Sequence, residues 1–293
     1  MKVLTVGGAM IDTIAIIDSD RIERMTMLNA DSSFLLLEEG RKTEASEIST
    51  HCGGGAVNAA IAMARLGHDV AALIKLGRDQ RAETILARLM QEGVSTRWVL
   101  RDARAPTGAS VLVSSHDRNA AIFTFRGANT LLEPADLRPE AFAADLVYVA
   151  SLSNKSADCF PLIIERAKAQ GALVAANPGV RQLSARGGEF QQCLKQIDVL
   201  SINRTEANVL VPSLITVVGE GGPASPLAPN EEPPPLAVRG LEGGGFEISL
   251  WAFFAGMREL GASRIVLTDG RHGAFLGTGD EVLYCPALEA PVV

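Results

Sequence analysis

Short apolar runs alternate with amphipathic stretches along most of this chain, and that alternation predicts a layered α/β fold. Lys2–Val6 (KVLTV) is a compact apolar run stopped by Gly7-Gly8, which predicts a buried parallel strand ending in a tight turn. AVNAAIAMARLG carries helical periodicity and ends at Gly67, a residue suited to the position just past a helix. DVAALIKLG predicts the next strand, and QRAETILARLMQEG a second helix closed by glycine. Strand, helix and strand joined by a few residues each form a βαβ unit of a parallel sheet. The rhythm resumes in ADLVYVAS (strand), FPLIIERAKAQG (helix), ALVAANPG (strand and turn), FQQCLKQI (helix) and DVLSINRTEANVLV (strand, turn, helix). EISLWAFFAGMRELG then predicts a helix, RIVLTDG a strand and GAFLGTGDEVLYCP a hairpin.

Three segments depart from this pattern. Residues 14–50 alternate poorly and are broken by charges, which fits a half-exposed sheet or flap better than core. Thr107–Arg126 alternates with period two around a turn at His116–Asn119, a β-hairpin pattern. Residues 212–245 are so rich in Pro and Gly that they predict an insertion loop with no packed element, disordered in solution.

Length and charge narrow the possibilities. At 293 residues the chain can bury a sizeable core, as one large domain or a domain plus an appendage. A formal charge of -7 argues against a nucleic-acid binder, which needs a basic face. It leaves room for an anionic substrate held by a few local cations. The four cysteines (Cys52, Cys159, Cys193, Cys285) form no C-x-x-C pair and no zinc spacing, so they read as reduced thiols of a cytoplasmic protein. The opening MKVLTVGGAMIDT lacks the pattern of a signal peptide. No stretch approaches the roughly 20 apolar residues that span a bilayer.

The candidate chemistry sits at predicted strand ends. Asp12 lies just past the first strand and its Gly pair, at the edge where open α/β sheets bind ligands; an Asx-turn is the plainer alternative. His51-Cys52-Gly53-Gly54-Gly55-Ala56-Val57-Asn58 is the sharpest local feature. Its glycines let the backbone approach a ligand and leave N–H groups at a helix start, where the dipole favours oxygen-rich groups. Asn58 adds an amide able to bond hydroxyls, or else caps a tight strand-to-helix turn. The segment is neither the dinucleotide fingerprint nor a Walker A loop.

Asn203-Arg204-Thr205-Glu206 follows the apolar run DVLSI, with Asn203 and Glu206 one helical turn apart. A carboxylate there can hold Mg²⁺ through water, or simply make an acidic first turn behind an N-cap. Thr268-Asp269-Gly270 closes RIVL; its hydroxyl and glycine N–H can bind phosphate oxygens or form a plain turn. Arg126, in Arg126-Gly127-Ala128-Asn129, can reach a phosphate or sugar or stay solvated. None of the four histidines has a partner carboxylate at helpful spacing, and no G-x-S-x-G elbow is present.

The order of these signals is more specific than any one of them. Strand-Gly-Gly-Asp, flap, G-G-x-x-x-N helix, Gly77-x-Asp79, hairpin, N-P-G, N-x-x-E and strand-T-x-G resembles the ribokinase (PfkB) family of carbohydrate and nucleoside kinases along essentially the whole chain. GGGAVNAAIAMARLG matches the first signature of that family, and SINRTEANVL matches its N-x-x-E segment. The resemblance implies an α/β fold with a mainly parallel central sheet flanked by helices and a small β lid. Residues 1–13, 52–104 and 127–293 would form the nucleotide- and substrate-binding core, 14–51 and 105–126 the lid, and 212–245 an insertion within the core. It also implies ATP- and Mg²⁺-dependent transfer of the γ-phosphoryl group to a hydroxyl of a sugar or nucleoside. Asp12, Gly54, Gly55 and Asn58 would contact that acceptor, together with Arg126. Asn203, Thr268 and Gly270 would line the ATP site, and Glu206 would serve the metal. The implied partners are small molecules, with neither nucleic acid nor membrane, and a lid able to pair two copies as a homodimer.

Two departures from the family pattern matter. Ribokinase proper and the phosphofructokinase branch carry Lys at the position of Gly55, so its loss favours a neutral sugar or nucleoside. Family members also place G-A-G-D at a helix start, where the Asp accepts the hydroxyl proton and the glycine N–H groups stabilise charge on the transferring phosphate. That motif is not found before Ala290-Pro291-Val292-Val293. Gly277-Thr278-Gly279-Asp280 precedes the strand-like EVLYCP and reads as a hairpin turn. The expectation is therefore a catalytic Asp beyond Val293 in a longer natural chain, and binding without useful turnover by these 293 residues. A non-catalytic nucleotide- or sugar-binding protein on the same fold is the alternative.

Overall fold

Alternate residues of the first strand, β1 (Lys2–Val6), feed two separate cores. Val3 packs with Ala56, Val57, Ala60, Ile85 and Leu89 on one face of the sheet. Leu4 and Val6 pack with Phe142, Ile163 and Phe190 on the other. A strand covered on both faces needs apolar residues at consecutive positions, which is why KVLTV carries no polar alternation. The computed structural model describes residues 1–17, 23–26, 33–36, 40, 42–115, 120–218, 236–239, 245–279 and 281–288.

After β1 come β2 (Met10–Ile17), β3 (Glu23–Thr26), β4 (Ser33–Leu36) and β5 (Glu47–Gly53). Helix α1 (Gly55–Arg65) leads to β6 (Asp69–Leu73) and β7 (Lys75–Leu76), and α2 (Gln80–Gln91) to β8 (Leu100–Arg101). The hairpin is β9 (Gly108–Ser115) and β10 (Ala120–Phe125); its turn at 116–119 lies outside the described residues. Then follow β11 (Leu146–Val149), α3 (Phe160–Ala169), β12 (Leu173–Ala176), α4 (Val180–Cys193), β13 (Val199–Asn203) and α5 (Arg204–Val218). The chain continues through β14 (Leu236–Arg239), β15 (Gly245–Ile248), α6 (Leu250–Glu259), β16 (Arg264–Thr268), β17 (Ala274–Thr278) and β18 (Glu281–Cys285).

The central sheet has the order β18-β17-β16-β13-β12-β11-β1-β6. From β16 to β6 every pairing is parallel, while β17 and β18 return antiparallel at one edge. The expected mainly parallel α/β sheet is thus present. A second sheet of four strands, β10-β9-β2-β5, stands apart from it. It takes in residues 10–13 and 52–53 as well as the flap and hairpin. Gly277–Gly279 does form a hairpin turn, since Thr278 pairs with Glu281; Asp280 itself lies outside the described residues.

Three local readings are corrected. The first concerns residues 212–245, read as a loop without packed structure. Helix α5 runs through Pro212 to Val218, and β14 pairs with β15. Burial outweighs the missing proline N–H here: Leu210, Val211 and Leu214 are buried, and Leu236 of β14 packs in the same core. The remaining residues of that stretch, 219–235 and 240–244, lie outside the described residues. The second concerns the helix expected from Glu247. Gly245–Ile248 is a strand, and α6 starts only after Ser249, whose side chain accepts the Ala252 N–H at 3.1 Å. The third is α4, which begins at Val180, well before the expected FQQCLKQI. Buried Leu183 and Phe190 hold it despite Gly187-Gly188, and it kinks at Arg186.

Candidate active site

The six parallel strands all end at one edge of the sheet, and the sequence candidates gather there in two groups. The first surrounds the ends of β1 and β11. Asp12 lies in β2, opposite His51 in β5 and Ser110 in β9. Its Oδ1 accepts a short hydrogen bond from the Ser110 hydroxyl. Its Oδ2 lies directly over Gly53, where a Cβ would come within 1.9 Å. Gly54 has φ of 97° and precedes α1, pressed against the backbone of Gly8 and Ala9. Gly55 faces Ala150 at the end of β11, 2.7 Å from where a Cβ would stand. The glycines thus let two strand ends, a carboxylate and a helix start converge.

Asn129 fastens this corner. Its Oδ1 accepts the Ala9 N–H and its Nδ2 donates to the Ala9 carbonyl, each at 2.9 Å. Arg126, three residues earlier, donates from Nη1 to Ser153 Oγ at 2.8 Å. Asn58 lies elsewhere: it is exposed and lines a groove of about 830 Å³ with His51, Cys52, Glu83 and Arg88, on a wall that Asp12 does not share. The structure therefore brings Asp12, Gly54 and Gly55 together and leaves Asn58 in the neighbouring groove. Gly77 and Asp79 belong to the joint below the small sheet. Asp79 caps α2 through Ala82 and accepts the Thr107 N–H at 2.7 Å, while the Gly77 N–H donates to Thr107 Oγ1 at 2.9 Å.

The second group surrounds the ends of β13 and β16, where Asn203 stands opposite Thr268. The Asn203 N–H donates to Glu206 Oε2, and the Glu206 N–H donates to Asn203 Oδ1, both at 2.9 Å. This reciprocal pair is a capping box at the start of α5. It uses one carboxylate oxygen of Glu206, and the other takes no hydrogen bond from the described residues. Burial raises the pKa of Glu206, with the Asn203 N–H opposing. Thr268 and Gly270 are exposed, with nothing within 4 Å of a Gly270 Cβ. Asp269 between them is buried and grips Arg204 through both oxygens.

Two other side chains stand beside the second group. Tyr148 in β11 has its pKa raised by burial and then by the charge of Glu206. Asn177 at the end of β12 donates to the Ser201 carbonyl at 2.7 Å. Four inter-strand steps separate β1 from β16, about 19 Å at ordinary sheet spacing. That span gives room for an acceptor at one end and a nucleotide at the other. Among the described residues no group of three or more His, Cys, Asp or Glu side chains could hold a metal. Mg²⁺ asks for less, one or two carboxylates with phosphate oxygens and water, and the uncommitted oxygen of Glu206 fits that demand.

The model of the pfkB family carbohydrate kinases matches residues 12–222, from Asp12 through the capping box. The chain belongs to that family. A ribokinase of Staphylococcus aureus (strain COL) is 30% identical over 164 residues, covering 54% of this chain and 51% of the relative. The chain spans about half the length of such curated relatives. Among solved structures, a ribokinase of Arabidopsis thaliana complexed with ribose and ATP superposes with a TM-score of 0.66 at 20% identity, covering 99% of this chain and 79% of that one. An adenosine kinase of Sinorhizobium meliloti gives 0.67 at 20% identity, covering 100% and 81%. These likenesses carry the ribokinase-like fold.

Sequence reading missed Ser151, Ser153 and Arg181 on this edge of the pfkB fold. Ser151 and Ser153 follow the strand that ends at Val149, and Arg181 follows the N-P-G turn. The strand-end rule that singled out Asp12 and Asn203 applies to them equally. Among the described residues, no helix is long and apolar enough to cross a membrane.

Proposed function

We propose that the protein transfers the γ-phosphoryl group of ATP, as its Mg²⁺ complex, to a hydroxyl of a sugar or nucleoside. The observation that carries this is the convergence of Asp12 and the Gly54-Gly55 loop on one part of the same sheet edge that elsewhere holds Asn203, Glu206 and Thr268. Asp12, Gly54 and Gly55 bind the acceptor, with Asp12 orienting its hydroxyls. Asn203, Thr268 and Gly270 line the ATP site, and Glu206 serves Mg²⁺, which when bound neutralises charge on the phosphates. The four-stranded sheet acts as a lid that excludes water from the transfer. A relative solved with ribose and ATP on this fold supports the pairing of ligands.

The same reading places the protein in a reducing cytoplasm, in line with four free cysteines. It also pairs two copies through the lid. Ile48, Val111, Phe123 and Phe125 lie on one face of that sheet and are 43–68% exposed. Sedimentation of a Phe123→Glu variant beside the native chain tests this, with a monomer expected from the variant.

The deciding experiment measures ATP turnover and binding with Mg²⁺ across pentoses, hexoses and nucleosides. Phosphorylation of one acceptor supports the kinase. Saturable binding of ATP and a sugar, with no transfer by the natural full-length protein, gives a non-catalytic binding protein in its place.

A further inference from the structure

Among the described residues, four crossings of the chain join the small sheet to the core: into β2, out of β5, into β9 and out of β10. The first two turn on glycines, at Gly7-Gly8 and Gly53-Gly54. The other two are tied together by charge, and Lys75 is the centre of that tie. Lys75 lies in β7, just past the end of β6, and is 7% exposed. Its Nζ donates to the Leu131 carbonyl at 2.8 Å and to Asp136 Oδ2 at 2.7 Å, both on the way out of β10. The same nitrogen lies 3.3 Å from Asp102 Oδ2, on the way into β9. Arg104 joins the two segments again nearer the surface, gripping Asp102 through Nε and Nη2 and pairing with Glu133.

Among the described residues Lys75 is the one buried cation, set between Ile74 and Leu76 in the core. Desolvation of a buried ion pair offsets most of its attraction, so the pair adds little net stability; what it adds is a defined partner for each segment. An apolar side chain at position 75 would fill the same space and hold neither Asp102 nor Asp136. Hydrogen bonds from Arg104, and then one from Lys75, keep the Asp102 carboxyl far below its ordinary range, so this tie is charged at neutral pH.

The tie bears directly on Asp12. Strand β9 pairs with β2 from Met10 opposite Gly108 to Ile17 opposite Ser115, and Ser110 of β9 holds Asp12 of β2. Asn129, on the way out of β10, is bonded to Ala9 just before β2. Any shift of the two tied segments is therefore passed on to Asp12. Asn203 and Glu206 stand instead on β13 and α5 of the core.

We propose that Lys75 is a positioning residue: by clamping the connections of β9 and β10 to the core, it sets the distance between Asp12 and the Asn203–Glu206 end of the edge. The clamp stands on the contacts alone, and its consequence for binding rests on the kinase reading above.

Hydrogen exchange followed by mass spectrometry on the full chain tests the clamp with Lys75→Met, which keeps the length of the side chain and removes the charge. Peptides from β2, β9 and β10 should exchange about tenfold or more faster than in the native chain, while those from β11, β12 and β13 keep native rates, as a local opening does. Acceleration shared equally by β11–β13 overturns the proposal, since that is a general loss of stability. A small sheet that exchanges at its native rate overturns it too. Arg104 and Glu133 are 58% and 46% exposed, so the double variant Arg104→Gln, Glu133→Gln cuts the outer link and carries the same test if Lys75→Met fails to fold. Calorimetry with ribose, fructose, adenosine and ATP with Mg²⁺ reads the consequence. An acceptor that the native chain binds should bind about tenfold more weakly to Lys75→Met with ATP affinity unchanged, as misplacement of a binding group implies. An acceptor bound as tightly as before, or ATP weakened equally, overturns the positioning role. A native chain that binds neither ATP nor any of these acceptors sinks the kinase reading, and the exchange rates still decide the clamp.

Discussion

Arg204 and Asp269 close a two-point ion pair across the ends of β13 and β16. Arg204 Nε donates to Asp269 Oδ1 at 2.7 Å and Nη2 to Oδ2 at 2.6 Å, the fork geometry that arginine favours. The pair locks the turn bearing Asn203 and Glu206 to the turn bearing Thr268 and Gly270. Asp269 is 8% exposed, so truncating it leaves a partly desolvated site without its charge partner. Asp269→Ala should lower the unfolding free energy by about 3 kcal/mol in urea titrations. Calorimetry should show weaker ATP binding with acceptor binding little changed. Equal loss at both ends of the sheet edge would argue against the division of roles.

Asp12 owes its position to a missing side chain. Its Oδ2 occupies the space a Cβ on Gly53 would need, and its Oδ1 is held by Ser110. Gly53→Ala should therefore displace the carboxylate and reproduce much of the effect of Asp12→Ala. Both variants should weaken the acceptor roughly tenfold or more, as loss of a charged hydrogen-bonding partner does, while ATP affinity stays near native. An acceptor affinity untouched by Asp12→Ala would remove this residue from the site.

Glu206 carries two roles that one substitution separates. Its Oε2 accepts the Asn203 N–H in the capping box, and a glutamine can make the same bond. The charge, however, is opposed by burial. Glu206→Gln should thus keep or slightly raise the melting temperature, while binding of Mg²⁺ with ATP weakens about tenfold for want of a carboxylate. Thermal unfolding and calorimetry with and without Mg²⁺ check both halves. A large loss of stability with unchanged Mg²⁺ dependence would leave Glu206 a cap alone.

The parts of this fold that were legible in the sequence are those where one local signal decides. KVLTV could only be a strand buried on both faces, and the glycine run before AVNAAIAMARLG could only open a helix. N-x-x-E was legible as a pair but not as to which role it filled, because a capping box and a metal carboxylate use the same spacing. What stayed hidden depended on distant packing. Pro212 reads as a breaker, yet Leu210, Val211 and Leu214 are buried on either side of it. Gly187-Gly188 disguised α4, which Leu183 and Phe190 hold in place. Arg126 is legible at the end of the hairpin, but Ser153, which accepts its hydrogen bond, belongs to another element, and no spacing along the chain ties the two together.

The joint beneath the small sheet makes a prediction about pH. Asp79 Oδ1 accepts the Ala82 N–H at 3.0 Å and Oδ2 the Thr107 N–H at 2.7 Å, so one carboxylate caps α2 and holds the entry to β9. Burial pushes its pKa up, but the bonds from Thr107 and Ala82 outweigh it and leave the carboxyl below its ordinary value of 3.8. A carboxyl depressed in the folded state contributes stability above its unfolded pKa and loses it as pH falls through the folded one. Asp79→Ala should therefore cost about 1–2 kcal/mol at pH 7, the usual worth of an N-cap. The gap between native and variant should narrow as the solution is acidified below about pH 4. Urea titrations across that range measure it directly. A gap that stays constant into acid would show that the bonds matter but the charge does not.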